Sequence, residues 1–143
     1  MTFPSSMKFI AVVALTLVGC MGTAKDPFGR QAIEGTITLD GQPLASGSIV
    51  FMPEEQGPFV SGAEIHKGTF SMPPTNGLPA GRYKVSITSV VPLPASDVKS
   101  ADEMTMDFPT KSLVPAKYNS QTTLISEVSD ESQNVFTFDL KSK

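Results

Sequence analysis

From Ile33 onward the chain alternates. Ile33, Gly35, Ile37 and Leu39 fall on one side of a period of two, and Glu34, Thr36, Thr38 and Asp40 on the other. That is the pattern of a half-buried antiparallel strand, with one face in a core and one in water. The same period returns at residues 82–89, where Tyr83, Val85 and Ile87 share a face, and at 135–140, where Phe136, Phe138 and Leu140 do. Turn formers stand between such runs. Eleven Gly and twelve Pro are more than a helical body tolerates, because Gly costs helix entropy and Pro removes a donor and clashes with the preceding turn. Seven candidate strands result, at 33–39, 47–52, 60–65, 69–72, 82–89, 122–128 and 135–140, and no segment between them carries a helical apolar stripe. Seven short strands in a chain with room for one core predict an all-β fold, a seven-stranded Greek-key β-sandwich. Asp40-Gly41 and His66-Lys67-Gly68 are the predicted hairpin turns. Leu78 is placed to plug one end of the sandwich, with Pro79 and Gly81 shaping the entry to the next strand.

Ahead of the sandwich lies a different signal. Residues 9–18 are apolar except for Thr16, follow Lys8 and precede the small Gly19, the arrangement of a secretory signal peptide. As a helix that run reaches about 15 Å, half of a hydrocarbon core of about 30 Å, so it does not span a bilayer. Cys20, the single cysteine of the chain, stands at its downstream edge. A buried core cysteine and an intermolecular disulfide are the alternatives for it, and no second cysteine is present to pair with it. Leu17-Val18-Gly19-Cys20 resembles a bacterial lipobox, in which a large apolar, a variable and a small residue precede the cysteine that receives a diacylglyceryl group. The resemblance implies lipidation of Cys20 and cleavage before it. The chain then divides into a lipoprotein signal peptide (1–19), a lipidated cysteine and flexible tether (20–31), and a β-sandwich domain (32–143) with a long loop at 90–117. Two or more acyl chains hold stably to a membrane, each buried methylene adding about 0.8 kcal/mol.

Chemistry-bearing constellations are thin. A net charge of −3 with no Arg-rich or aromatic-basic segment speaks against nucleic acid. His66, the one histidine, falls in an expected exposed turn without a nucleophile-elbow context. One His and one Cys are too few for a zinc site, and Asp97, Asp102, Glu103 and Asp107 fit no calcium-loop spacing. No catalytic residue, cofactor or metal is expected. Tyr118, after Pro115-Ala116-Lys117, reads as an aromatic corner whose hydroxyl bonds backbone. The loop at 90–117 holds four prolines and is long for so small a domain; such loops are commonly functional or disordered. Met104, Met106 and Phe108 recur two apart within it and are the candidate partner-binding residues, with an added edge strand as another reading.

GTITLDGQPLASGSIVFMP (35–53), GTFSM (68–72) and GLPAGRYKVSI (77–87), in that order, resemble the carboxypeptidase regulatory-like domain, a transthyretin-like (prealbumin-like) sandwich of exported bacterial proteins. VPAKYNSQTTLISEV and NVFTFDLKSK are similar to the tail of small bacterial lipoproteins built on it. The Tyr-Arg-Gly-Ser ending of transthyretin-like hydrolases is replaced by DLKSK. The first strand also lacks the Lys of the isopeptide cross-link found in some adhesin sandwiches. The expectation is a monomeric, non-enzymatic lipoprotein on the extracytoplasmic side of the cell membrane or outer membrane, a binding or structural module of the cell envelope. The alternative is a carbohydrate- or peptide-capturing accessory of an uptake or secretion complex.

Overall fold

The computed structural model describes residues 26–93 and 110–143, and it is all-β. Its strands are β1 (Ile33–Leu39), β2 (Gln42–Pro43), β3 (Ser46–Pro53), β4 (Ser61–His66), β5 (Thr69–Met72), β6 (Gly81–Thr88), β7 (Val90–Pro92), β8 (Thr110–Ser112), β9 (Ile125–Val128) and β10 (Asn134–Leu140). Helical structure among the described residues is confined to two single 3-10 turns, Pro74–Asn76 and Ala116–Tyr118.

The seven strands expected from the sequence are the seven that pair, in the order β10-β1-β5-β4-β3-β6-β9. β4 and β5 meet only at His66 and Thr69, so the sheet folds over at that hairpin into two layers, β10-β1-β5 and β4-β3-β6-β9. Within it β3, β4 and β5 follow one another and β6 returns to lie beside β3, which is a Greek key. Two expectations need correction. The ninth strand starts at Ile125 rather than at residue 122, because the Thr122 backbone N–H closes a turn onto the Asn119 carbonyl (3.1 Å) while its hydroxyl bonds the Val85 carbonyl (2.5 Å). β1 is antiparallel to β5 and β2 but parallel to β10 along its whole length, from Ile33 beside Asn134 to Leu39 beside Leu140. The cause is the 129–133 turn, which carries the chain across from β9 at the end of the sandwich where β1 also starts.

Both predicted tight turns are set by backbone chirality. Asp40 and Gly41 lie at φ 52° and 84°, Lys67 and Gly68 at 51° and 77°; two consecutive positive values make the type I′ turn whose twist matches a hairpin. β2 is the short return after the first turn, and Leu44 N–H closes it onto the Ile37 carbonyl at 3.0 Å.

The alternating faces converge on one core that includes Ile33, Ile37, Val85, Ile87 and Leu140, with Leu39 and Phe136 packed at its margin. An aromatic chain ties the layers together. Phe51 on β3 lies 6.1 Å from both Phe70 on β5 and Phe136 on β10, and Phe138 lies 6.3 Å from Phe70 and Phe136. Gly35 makes this possible, since a Cβ there would run into the Phe136 carbonyl and the Phe70 ring. Leu78 is buried at the end of the sandwich, as its place in the sequence predicts.

Two ends result. The near end holds the starts of β1, β6 and β10 with the 54–60 and 129–133 connections, and the far end holds the Asp40-Gly41 turn, the start of β3 and the end of β6. Seven residues of β1 separate them, roughly 20 Å at about 3.4 Å per residue.

Candidate functional site

The near end is where the described chain begins, and it is built by a turn. Asp26-Pro27-Phe28-Gly29 closes through Gly29 N–H to the Asp26 carbonyl at 3.0 Å, with Gly29 at φ 65°; Pro at the second position presets the φ this turn needs. The Asp26 carboxylate accepts the N–H groups of Phe28 (3.0 Å) and Arg30 (2.9 Å) and the guanidinium of Arg30 at 2.7 to 3.2 Å. The Arg30 guanidinium, then the backbone donors, lower the Asp26 pKa to about 2. Arg30 in turn donates to the Thr75 carbonyl at 2.6 Å, and Gln31 N–H to the Leu78 carbonyl at 2.9 Å. Residues 26–31, which by composition belong to a tether, are thus docked on the domain. These residues join the domain ahead of Ala32, because charge-assisted bonds from a turn do here what apolar burial does in the strands.

Apolar side chains crown this end. The Phe28 ring is 60% exposed, sits 5.9 Å from Phe59 and lies under the Arg30 guanidinium at 5.6 Å. Val60, next in the chain to Phe59, is 59% exposed. Beside them runs a shallow groove of about 500 Å³, lined by Gln31, Glu34, Ser71, Glu131 and Asn134 among others. It continues past Glu34 and Ser71 into a second groove of about 530 Å³ on the outer face of β1, β4 and β5, where Thr36, Glu64 and His66 stand. Asn134 is structural: its amide accepts Ser129 N–H at 2.7 Å and donates to the Ser129 carbonyl at 2.9 Å, fixing the 129–133 turn.

His66 lies in this second groove, and its Nε2 stands 3.3 Å from Glu64, both side chains at least 75% exposed. Among the described residues no Ser, Thr or Cys side chain bonds the imidazole, and no three His, Cys, Asp or Glu gather as a metal site. The grooves can therefore offer carboxylates, amides and hydroxyls to a ligand but hold no assembled relay. Tyr118 is the corner its context predicts, with its hydroxyl accepting Lys141 N–H at 3.1 Å. A second corner goes beyond the sequence reading: Tyr83, buried in the core, donates to the Pro79 carbonyl at 3.0 Å, and burial raises its pKa.

Cys20, Met104, Met106 and Phe108 lie outside the described residues, as do Asp97, Asp102, Glu103 and Asp107. The segment holding the methionines is entered and left through a ribbon, β7 with β8, in which Val90 pairs Ser112 and Pro92 pairs Thr110. The chain matches no family model and no curated protein.

The clasp and the aromatic tip are the site features that composition alone misses. The signal for them is local: an Asp-Pro-x-Gly turn with an Arg four residues after the Asp.

Proposed function

We propose that the chain is a lipid-anchored extracytoplasmic lipoprotein whose β-sandwich serves as a non-enzymatic binding or structural module of the cell envelope. The observation that carries the reading is Leu17-Val18-Gly19-Cys20 at the end of an apolar run, with residues 21–25 alone between Cys20 and the clasp at Asp26. The ordered motifs GTITLDGQPL, GTFSM and GLPAGRYKV support grouping the sandwich with carboxypeptidase regulatory-like domains of exported proteins. The experiment is detergent partitioning and intact-mass analysis of the full chain expressed in a bacterium. Wild type is expected in the detergent phase with a diacylated N-terminal Cys20, and Cys20→Ala in the aqueous phase. An unmodified wild-type N-terminus, or equal partitioning of the two proteins, ends the reading.

The grooves on either side of Glu34 favour one second reading, capture of a carbohydrate or peptide for an envelope uptake or secretion complex. Their polar, partly acidic lining suits hydroxyl-rich or basic ligands. Glu34→Gln should then weaken binding of such a ligand without moving the melting temperature; unchanged binding removes the groove from consideration.

A further inference from the structure

We infer that the near end of the sandwich, through Phe28, Phe59 and Val60, lies in the interface of the bilayer that holds the Cys20 lipid. The inference rests on the lipid-anchor reading and adds to it an orientation and a contact surface.

Chain length supplies the first argument. Six Cα steps separate Cys20 from Asp26, and at about 3.5 Å each they span at most roughly 21 Å. Asp26 itself does not lengthen the leash, since its carboxylate is bonded to Phe28, Arg30 and, through Arg30, to Thr75. A lipid at Cys20 therefore keeps the near end close to the membrane, and the Asp40-Gly41 end, about 20 Å further along β1, faces away.

The second argument is where the apolar surface sits. Phe28 and Val60 are the most exposed large hydrophobic residues among those described, and both belong to this end, two residues past Asp26 and beside Phe59. Of the other exposed apolar residues, Val90 stands at the far end, where the ribbon is entered, and Val135, the second residue of β10, lies on the outer face in the groove beside this end. Aromatic rings with an Arg stacked on one of them suit the boundary between headgroups and acyl chains, where the ring is buried and the charged stem reaches water.

Charge decides the kind of membrane. Asp26 neutralises Arg30, Glu54 pairs Arg82 at 3.2 Å, and Glu55, Asp130 and Glu131 remain exposed around the tip. Among the described residues of this end acidic groups outnumber free basic ones, so the contact is apolar, needs no anionic lipid and should not weaken with salt.

The chain contains no Trp, which makes single-tryptophan variants clean reporters. The full-length lipidated protein, as Phe28→Trp, Val60→Trp or Gln42→Trp, is reconstituted into phosphatidylcholine vesicles with or without brominated acyl chains. Gln42 is exposed at the far end and serves as the control. The inference expects co-flotation of all three proteins. It further expects blue-shifted indole emission from the Phe28→Trp and Val60→Trp proteins, quenched roughly twofold or more at a depth of about 5–10 Å and unchanged by salt, with the Gln42→Trp protein unquenched. If all three float and none is quenched, the anchor stands and the orientation is wrong. A blue shift without lipid quenching, vanishing as protein is diluted in lipid, assigns the tip to a second copy of the chain and overturns the inference. Failure of the unmutated protein to float removes both the anchor reading and this one.

Discussion

Asp26 shows how much of the near end hangs on one carboxylate. Its pKa, held at about 2 by Arg30 and by backbone donors, lies below the usual aspartate value near 3.8, so the charged form is favoured in the folded state. The clasp is therefore fully present above about pH 4 and is lost as pH falls toward 2. In an NMR titration the Asp26 carboxyl should show the depressed midpoint, and loss of the Arg30 amide protection should follow it; titration at the ordinary value contradicts the clasp. Asp26→Asn should increase exchange at Phe28 and Arg30 at neutral pH while leaving the urea midpoint of global unfolding in place, since the core is not involved. Glycines make a second residue-scale case. Gly41 and Gly68 both occupy left-handed turn positions, but a Cβ on Gly41 meets open space whereas one on Gly68 lies 2.6 Å from the Pro43 side chain and 3.0 Å from the Ile37 carbonyl. Each Ala variant carries the left-handed cost of about 1–2 kcal/mol, and Gly68→Ala adds the displacement of β2. Urea midpoints should rank wild type above Gly41→Ala above Gly68→Ala; the reverse order of the two variants would show that the β2 contact carries no weight.

Elements are legible in proportion to how local their cause is. The seven long strands can be read because alternation and chirality act within a few residues: Ile33 to Leu39 carries its own face, and Asp40-Gly41 its own turn. β7 and β8 cannot, since three-residue strands such as Val90–Pro92 exist only through pairing with a segment far along the chain. The parallel direction of β10 is likewise a property of the path between layers and leaves no mark on the residues NVFTFDL. The docked segment 26–31 is hidden for another reason: Pro, Gly and charge read as linker composition, yet here they form a turn and a bidentate ion pair. The ribbon yields its own prediction. Pro92 and Thr110 already stand paired, so the ends of the connection between them are held, and halving the length of a closed segment changes closure entropy by only about 0.6 kcal/mol. Replacing residues 95–109 with a shorter Gly-Ser run should leave the thermal midpoint within a few degrees of wild type. Unfolding of that variant would mean that the replaced residues contribute to the core.

At the scale of the molecule the two layers are held to each other by one shared core. β4 and β5 share a single paired position, so cohesion between the halves rests on side chains that meet in the core, among them Phe51 of one layer against Phe70 and Phe136 of the other. Phe138 is 9% exposed and touches rings from β5 and β10. Truncating it removes a ring and leaves a cavity between strands whose backbones are fixed by pairing, so Phe138→Ala should cost about 3–5 kcal/mol. That loss is a large fraction of the roughly 5–15 kcal/mol that holds a domain of this kind together. Val135, three residues earlier on the same strand but 56% exposed on the outer face, provides the comparison: Val135→Ala should stay within about 0.5 kcal/mol. Because one core serves both layers, the Phe138→Ala protein should still unfold in one transition seen alike by far-UV dichroism and tyrosine fluorescence. Two separated transitions would show that β10-β1-β5 and β4-β3-β6-β9 hold together independently, and a Phe138→Ala protein as stable as wild type would show that this ring adds nothing to the shared core.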